Sequence, residues 1–276
     1  MAQIFQEAIN TMTTDEYREP QSFLEYLKQN NITAKNTANY ISIQTYEQLA
    51  PELKEHQLMV FRLGANKQTK GTSFALMKTD NDFHDFFLFD EVIFQDIDPI
   101  TLELDWKDEK YISFSTIAKL TETSFVNLAL ASKVLEKALS LDTNTISIPV
   151  TGRGNYTFQV KPKEQKDIIW KHTTGQVEID SIFVGNKNGE KHLFIVEAKS
   201  GKFPSSLAKH KLMYPIYAII PNVPKDYKIT PVYMNVKETQ EFITFYIAEC
   251  NSFRTTQKLS IDSIEVKNAS IIQIKK

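Results

Sequence analysis

The apolar residues of the first 120 positions change their spacing several times along the chain. A helical spacing begins at Pro20, where a proline suits a first turn, and another begins after Thr45, a suitable cap. These patterns predict helices over roughly 20–30 and 45–54. Short apolar runs then predict strands at 57–63, 73–78, 85–94 and 111–115. The first part of the chain is therefore predicted to be a small α+β module.

A longer helical pattern marks the beginning of a second region. Apolar positions recur at helical spacing over 121–140, with Thr121 or Thr123 as the cap. Strand-like runs follow at 146–150, 156–160, 177–185 and 192–199. The turn sequence NKNGEK can join the last two runs as a hairpin.

The last part of the chain predicts one more helix and further strands. The helix is predicted to begin near Pro204, and Pro215 should end or kink it. Strands are predicted at 231–236, 241–249 and 259–267. A helix, a β-meander, a crossover helix and more strands predict an α/β fold, that is, an α+β mixed sheet flanked by helices. We expect an N-terminal α+β module over 1–120 and a core over 121–276, although no linker marks this boundary.

Composition narrows the class of protein. With 276 residues, 42% of them hydrophobic and 24% charged, the chain can bury a sizeable core, as a globular protein does. The single cysteine, Cys250, cannot form an internal disulfide, so an oxidising compartment is not required. The N-terminus has no basic segment followed by an apolar run, and no apolar stretch is long enough to cross a bilayer. These features predict a cytoplasmic protein without a membrane partner.

Positive charge is concentrated in two segments, although the formal net charge is −2. Residues 152–211 contain eleven Lys and Arg against six Asp and Glu. Residues 56–79 contain no acid, and glycines at 64 and 71 there predict a loop that reaches a polyanion. A solvated basic surface that has no ligand is the other interpretation of both segments, and for residues 56–79 it is the favoured one. The charge pattern alone therefore decides nothing.

The run HLFIVEAKS, residues 192–200, combines an interior strand with charge at its end. It is apolar on both faces up to Glu197, which is typical of a central strand. Glu197 and Lys199 then lie on one face, roughly 6.5 Å apart along the strand. The preceding run VEIDSIFV carries Glu178 and Asp180, and the predicted hairpin places Asp180 beside Glu197. Since buried charges need a partner or a metal, this strand end is the main candidate site.

The same acid-any-lysine triplet occurs elsewhere in the chain, most similarly at Glu265 and Lys267. In SIEVK the apolar residues alternate with the charged ones, and alternation is typical of a half-exposed strand. We therefore expect Glu265 and Lys267 to face water.

Two carboxylates and one ammonium at a strand end match the needs of metal-dependent phosphodiester hydrolysis. Oxygen ligands bind Mg²⁺, which keeps several waters and takes a substrate phosphate. Such a metal activates water, and a nearby lysine orients that water or neutralises the charge that develops on the phosphate. No Cys or His cluster suggests zinc. Mg²⁺ is the expected cofactor, with Mn²⁺ as a substitute.

This arrangement resembles the PD-(D/E)xK nuclease superfamily, to which many type II restriction endonucleases belong. The resemblance covers roughly 122–250 and rests on Asp180 in EID and on Glu197 and Lys199 in EAK. Ile179 stands where the family has its proline. The resemblance implies a restriction-endonuclease-like αβββαβ core, preceded here by the N-terminal module, with the acid on the second strand and the (D/E)xK motif on the third.

The resemblance also implies roles for these residues. Asp180, Glu197 and Lys199 would be catalytic, and Asp180 and Glu197 would bind the metal. The family often has a further acid on the first helix, and whether Glu136 or Glu178 assists the metal stays open. His172 and His210 belong to no second motif and are interpreted as phosphate-side or surface residues.

The function implied is that of a Mg²⁺-dependent endonuclease that hydrolyses double-stranded DNA at a specific site, as type II restriction enzymes do. Cutting both strands of a palindrome favours a homodimer. One alternative is a repair, recombination or defence-effector nuclease of the same fold. Another is a non-catalytic DNA-binding module in which Glu197 and Lys199 form a plain ion pair.

Candidate DNA contacts fall into three groups, and each group is also compatible with ordinary surface residues. The first belongs to the N-terminal module, the second has side chains suited to base edges, and the third lies near the catalytic strand end in sequence. They are Arg62, Lys67 and Lys70; Arg153 and Gln176; and Lys202, Lys209 and Lys211.

Overall fold

The structure, a computed structural model, describes residues 3–12, 16–66, 71–201 and 205–276. The strands are β1 (Tyr17–Ser22), β2 (Leu58–Ala65), β3 (Thr72–Lys78), β4 (Phe87–Phe89), β5 (Ile100–Glu103), β6 (Val150–Val160), β7 (Trp170–Lys187), β8 (Glu190–Ser200), β9 (Ser206–Ala208), β10 (Lys228–Glu238), β11 (Phe242–Cys250), β12 (Phe253–Arg254) and β13 (Val266–Lys275).

The helices are mostly short. They are α1 (Gln6–Asn10), α2 (Phe23–Gln29), α3 (Ala38–Ile41), α4 (Pro51–Glu55), α5 (Asp90–Ile93), α6 (Glu109–Thr116), α7 (Glu122–Ala131), α8 (Val134–Ala138) and α9 (His210–Ile219). Single turns of 3₁₀-helix occupy Tyr46–Gln48 and Ile220–Asn222. No helix in the described part of the chain has the length and apolar character needed to span a membrane.

Most of the strands form one mixed sheet. Across the described residues this sheet has eleven strands, in the order β1-β3-β2-β7-β8-β10-β11-β13-β5, with β6 paired to β7 and β12 paired to β10. β7 is antiparallel to both β6 and β8, whereas β10 runs parallel to β8. β4 and β9 form a separate antiparallel pair. The predicted class, a mixed α+β sheet with flanking helices, is confirmed.

Hydrogen bonding in the sheet crosses the position near residue 120 where the sequence pattern changes. β5 lies before that position and pairs in parallel with β13. β2 also lies before it and meets β7 where Gly64 pairs with Thr173. Gly64 has φ +76°, and a Cβ there would lie 2.4 Å from the Thr173 carbonyl oxygen. Glycine therefore permits the close junction of β2 and β7, which brings Arg62 next to the core strands.

Residues of β8 alternate between two apolar clusters. Ile195 packs in the cluster that contains Leu212 and Met213 of α9, and Val196 packs in the cluster that contains Phe125 of α7. Since successive strand residues point to opposite faces, β8 is covered on both sides. The prediction of a central strand is confirmed. Charged residues occur at the beginning of β8, at Glu190 and Lys191, and then not again until Glu197.

The hairpin predicted between the last two meander strands is also confirmed. Asn188 and Gly189 connect β7 to β8 and have φ +52° and +75°. Two left-handed residues form the turn whose twist matches that of paired strands, and Asn-Gly is a preferred sequence for it.

Thr121 caps α7 as expected, since its side chain accepts a hydrogen bond from the Ser124 backbone N–H. The long helix predicted over 121–140 nevertheless divides into α7 and α8. Lys133 between them is left-handed, with φ +61°, and a residue in that conformation cannot continue an α-helix.

Three predicted strands are wrong. Residues 146–149 lie outside any strand, and only Val150 of that run belongs to one, as the first residue of β6. Within 85–94 only Phe87–Phe89 is a strand, and Asp90–Ile93 is helical. The apolar run there has no period, so it cannot distinguish a buried helical turn from a strand. Residues 111–115 lie inside α6, whose Asp108 cap accepts a hydrogen bond from the Lys110 backbone N–H. A capped helix start thus prevails over the aromatic and β-branched content that favoured a strand.

Boundaries near two prolines are also wrong. Pro20 lies in β1, and α2 begins only at Phe23, after its Ser22 cap. Pro204 lies outside the described residues, and the helix predicted to begin there starts at His210, after the short strand β9. Pro215 lies inside α9 and does not end it.

The last predicted strand is displaced along the chain. Residues 259–265 lie outside any strand, and β13 begins at Val266 and continues to Lys275. The alternating pattern does continue into a strand, but that strand begins after the apolar residues of 259–264 and does not include them. Those residues instead form turns whose apolar side chains, such as Ile261 and Ile264, are buried in the core.

Candidate active site

Asp180 lies at a β-bulge in β7. The register with β6 shifts so that β7 has one extra residue between Ile179 and Ile182. Both isoleucines pack against the same apolar cluster, so they point to the same face of the sheet. In a regular strand, residues on one face are an even number of positions apart. Ile179 and Ile182 are an odd number of positions apart, so the extra residue between them is required. Bulges re-aim side chains. Here Asp180 reaches β8, where its Oδ2 accepts a hydrogen bond from the Ala198 backbone N–H at 2.9 Å.

Glu197 follows the buried Val196 in β8 and lies opposite Asp180 in the continued β7–β8 register. Its Oε1 accepts a hydrogen bond from Lys199 Nζ at 2.7 Å. The same Oε1 lies 3.4 Å from Nζ of Lys211, on the first turn of α9. The structure thus brings together Asp180, Glu197 and Lys199, the residues singled out in the sequence, and adds Lys211 to them.

The charges of this cluster shift one another's pKa. Burial raises the pKa of Asp180, and the neighbouring Glu197 carboxylate adds to the shift. Burial alone would lower the pKa of Lys199, but the charge and hydrogen bond of Glu197 outweigh it, so this pKa is raised. Lys199 therefore stays protonated at neutral pH, whereas Asp180 is a carboxyl group that a nearby cation would stabilise in its ionised form.

Glu122, the first residue of α7, belongs to the cluster although sequence reasoning missed it. Its Oε1 accepts a hydrogen bond from the Ser200 backbone N–H at 3.2 Å, at the end of β8. Its charge also contributes to the raised pKa of Lys199. The helical acid considered from the sequence, Glu136, instead lies on α8 and pairs with Lys133 at 3.8 Å. The available signal for Glu122 was its position directly after the Thr121 cap.

The donor set fits a hard divalent cation. Asp180 and Glu197 each supply a carboxylate, and Asp180 Oδ1 and Glu197 Oε2 accept no hydrogen bond from the described residues. No group of three or more His, Cys, Asp or Glu side chains able to hold a metal occurs in that part of the chain. Two carboxylates would therefore share the ion with water and substrate oxygens, which is the usual manner of Mg²⁺.

Arg153 and Gln176 lie on the exposed β6–β7 ladder. Arg153 pairs opposite Glu178, and Gln176 Nε2 donates a hydrogen bond to Glu178 Oε1 at 2.6 Å. Glu178, two residues before Asp180, is therefore engaged by its neighbour on the ladder. These three side chains form a polar surface that leads to the candidate active site.

The predicted lysine contacts differ in their placement. Lys211 lies in the cluster, as described above. Lys209, by contrast, is only 6% exposed. Its Nζ donates a hydrogen bond to the Asp262 carbonyl oxygen at 3.4 Å, and burial lowers its pKa. Lys209 is thus an interior residue and is not on the surface open to DNA. Three other lysines lie outside the described residues: Lys67, Lys70 and Lys202.

His172 and His210 are buried, and their interpretation as phosphate-side or surface residues is wrong. His172 stacks on Phe158 with ring centroids 4.4 Å apart. Burial lowers the pKa of His172 to about 4 and that of His210 to about 3. Both imidazoles are therefore neutral at pH 7 and do not attract a phosphate by charge.

Arg62 lies next to these histidines. Its Nη1 donates a hydrogen bond to Ser42 Oγ at 2.9 Å, and its carbonyl oxygen accepts one from the Tyr214 hydroxyl at 3.1 Å. Arg62, the two histidines and Lys211 line a cavity of about 210 Å³ between β2, β7 and α9. The cavity shares Lys211 with the cluster of Asp180, Glu197 and Lys199.

Comparison with known proteins gives one match. The family model described as "Domain of unknown function (DUF6997)" matches residues 82–270. No curated protein and no solved structure is detectably similar to the chain. The matched range includes Asp180, Glu197, Lys199 and Glu122.

Proposed function

The chain belongs to the DUF6997 family, whose description assigns no activity, and we propose from its site that it is a Mg²⁺-dependent DNA endonuclease of the PD-(D/E)xK type. The observation that carries the proposal is the convergence of Asp180, at the bulge within β7, with Glu197 and Lys199, near the end of the neighbouring strand β8. In its finer form the proposal is a type II restriction enzyme, which cuts double-stranded DNA at a specific site.

The order of the elements supports this assignment. α7 and α8 precede the antiparallel meander β6–β7–β8, α9 follows the meander, and β10 returns parallel to β8. This sequence of elements is the αβββαβ order, with Asp180 on the second strand and Glu197 and Lys199 on the third. The short strand β9 between β8 and α9 is a departure from the simplest form of that order.

Each residue of the cluster has a role in the proposed mechanism. The carboxylates of Asp180 and Glu197 would hold the Mg²⁺ ion, whose chemistry would be polarisation of the scissile phosphate and a lowered pKa of a water. Lys199 keeps its proton, so its Nζ orients the attacking water or neutralises charge that develops on the phosphate. Lys211 adds a second positive charge beside the Glu197 carboxylate. Glu122 fixes the end of β8 through Ser200 and thereby positions Lys199.

The exposed β6–β7 ladder is the proposed path of the DNA. Arg153 and Gln176 offer donors to base edges or phosphates beside the cluster. Cutting both strands of a palindromic site would require two active sites related by a twofold axis, so we propose a homodimer for the restriction role. The N-terminal lysines and Lys202 remain proposed DNA contacts.

A non-catalytic DNA-binding module is the second candidate. The observation that favours it is that both Lys199 and Lys211 already lie against Glu197 Oε1, as in a plain buried ion pair. Repair, recombination and defence-effector nucleases of the same fold would share the site and would differ from a restriction enzyme in the DNA that they cut.

The test is incubation of the purified protein with unmodified phage DNA in Mg²⁺, in Mn²⁺, in Ca²⁺ and in EDTA. We expect discrete fragments in Mg²⁺, fragments also in Mn²⁺, and no cleavage in EDTA. Asp180→Asn is the matched control, because its amide oxygen can still accept the Ala198 N–H while the charge is lost. A smear in place of fragments would indicate a nuclease of the alternative roles. DNA binding without cleavage by the wild type in either metal would support the binding module.

A further inference from the structure

The cavity that adjoins the catalytic cluster has a size suited to one ring-shaped group. Its volume is about 210 Å³, enough for several waters at about 30 Å³ each but below the roughly 300–1,000 Å³ of pockets for drug-sized ligands. It lies where the residues around Ser42 and Arg62 meet β7 and the first turns of α9. Its position beside Lys211 places it next to the proposed scissile phosphate.

The inner wall of the cavity is aromatic and uncharged. The rings of His172 and His210 lie 5.3 Å and 5.2 Å from the ring of Tyr214. Both histidines are neutral at pH 7, as described above. Neutral aromatic rings suit a flat heteroaromatic ligand better than they suit an anion.

The mouth of the cavity, by contrast, is polar. Gln176 and Glu178 form a hydrogen-bonded pair there and together present amide donors and carboxylate acceptors. Arg62 uses Nη1 on Ser42, and a guanidinium has further N–H donors beyond that one. Lys211 lies at the same cavity and 3.4 Å from Glu197 Oε1. The charged and amide groups are therefore placed where a ring edge and its attached sugar-phosphate would emerge.

We propose that this cavity receives a single nucleobase, turned out of the DNA strand that the catalytic cluster cuts. The base lies against the wall formed by His172, His210 and Tyr214. The Gln176–Glu178 pair and Arg62 contact its edge, and Lys211 leads its phosphate to Glu197. Enzymes that turn out a base hold it in such a pocket by stacking and by hydrogen bonds to its edge. This inference rests on the proposed nuclease function, since the cut strand supplies the base.

The first test uses small probes and needs no cleavage. Binding of the four deoxynucleosides, the four deoxynucleoside monophosphates and inorganic phosphate is measured by calorimetry on the wild type and two variants. We expect the wild type to bind at least one nucleoside. Gln176→Ala should weaken that binding about tenfold, which is the effect of losing one hydrogen bond to the ligand. Gln159→Ala is the matched control, because Gln159 is an exposed glutamine on β6 away from the cavity, and it should bind as the wild type does.

The second test uses duplex DNA with 2-aminopurine placed in turn at each position around the mapped cleavage site. Asp180→Asn prevents cutting, and the fluorescence of 2-aminopurine rises when the base leaves the stack. We expect a severalfold rise at one position, which Gln176→Ala reduces and Gln159→Ala does not.

The outcomes separate this inference from the nuclease function. Cleavage by the wild type without nucleoside binding or a fluorescence rise at any position overturns the inference and leaves the nuclease intact. Phosphate that binds as well as the monophosphates, with no nucleoside binding, also overturns it and makes the cavity an anion site. Nucleoside binding by a protein that cuts no DNA supports a nucleobase cavity but overturns the cut strand as the source of the base.

Discussion

Two segments of this protein, one within β8 and one that leads into β13, carry the same triplet, glutamate-any-lysine, in very different surroundings. Lys199 Nζ lies 2.7 Å from Glu197 Oε1, and Lys267 Nζ lies 2.6 Å from Glu265 Oε2. The side chains of Glu197 and Lys199 are 3% and 12% exposed, whereas those of Glu265 and Lys267 are 64% and 57% exposed. The ion pair forms in both places, so the pair itself indicates nothing about function.

The neighbours of each pair explain the difference between them. Glu197 also faces Lys211 and the Asp180 carboxylate, at the end of a strand that is apolar on both faces. Glu265 precedes β13 in an alternating segment and is exposed to solvent, as its sequence predicted. Exposed pairs contribute about 0–1 kcal/mol to stability, whereas buried charges must be held by partners or by a metal. The comparison teaches that burial and a second carboxylate, rather than the triplet, define the candidate site.

The largest expected effect is that of removing the buried acid. Glu197→Ala leaves Lys199 and Lys211 without their common partner, so we expect the free energy of unfolding to fall by about 3–5 kcal/mol. We also expect loss of DNA cleavage and of metal-supported DNA binding. Glu265→Ala should change the free energy of unfolding by no more than about 0.5 kcal/mol and leave cleavage unchanged. Urea denaturation, binding in Ca²⁺ and cleavage in Mg²⁺ measure these quantities.

Glu197→Gln refines this prediction, because its amide keeps the volume of the side chain and an acceptor for Lys199. It should unfold closer to the wild type than Glu197→Ala does, yet still fail to cut. If Glu197→Ala and Glu265→Ala had equal effects on stability and cleavage, the distinction between the two triplets would be lost.

His172 is buried whereas His84 is exposed, and this difference predicts an effect of pH on stability that is intermediate in size. The pKa of His172 falls from 6.5 to about 4 on folding, so the unfolded chain binds the proton first as the pH falls. Neutral His172 contributes to the free energy of unfolding in full above about pH 6.5. As the pH falls from there towards 4, the free energy of unfolding decreases by roughly 3 kcal/mol. His172→Phe should reduce the acid dependence of the unfolding free energy by about that amount.

His84 is the control for this measurement, since it is exposed. His84→Phe should leave the acid dependence as it is in the wild type, so that the difference between the two variants isolates the buried ring. Equal pH dependence in both variants would mean that His172 does not titrate as a buried neutral group.

The smallest expected effect concerns the exposed ladder beside the buried triplet. Arg153→Ala should weaken DNA binding severalfold and lower the slope of log affinity against log salt by about 1, as loss of one phosphate contact does. Arg254→Ala removes an equally simple surface charge on β12, where the side chain is 60% exposed beside Glu190. An unchanged slope for Arg153→Ala, or an equal change for Arg254→Ala, would remove Arg153 from the DNA path.

Much of the site was predictable because its signals are local. The Asn-Gly turn fixes the β7–β8 hairpin, and the hairpin register places Asp180 opposite Glu197. Continuous apolar residues up to Glu197 indicate a strand covered on both faces, and the two apolar clusters on β8 agree. These features depend only on residues close together in sequence.

The rest depends on distant residues and could not be predicted from local patterns. Glu122 reaches the cluster because the start of α7 meets the end of β8, which are 78 positions apart. The cavity combines Arg62 with α9, which the Gly64–Thr173 contact brings near β7. The bulge at Asp180 leaves one sign in the sequence, because Ile179 and Ile182 break the alternation of VEIDSIFV. Such a break does not show in which direction the bulge turns the Asp180 side chain.

The measurement that tests the central claim most directly is the rate of Mg²⁺-dependent DNA cleavage by the wild type, Lys199→Ala and Lys267→Ala. Circular dichroism establishes that each protein is folded, and binding in Ca²⁺ establishes that each still holds DNA. The account predicts that Lys199→Ala keeps DNA binding but cuts at least about a hundredfold more slowly, the size of one charge contact in the transition state. Lys267→Ala should cut as fast as the wild type. Wild-type cleavage by Lys199→Ala, or an equal loss in both variants, would contradict the assignment of the buried triplet as the catalytic one.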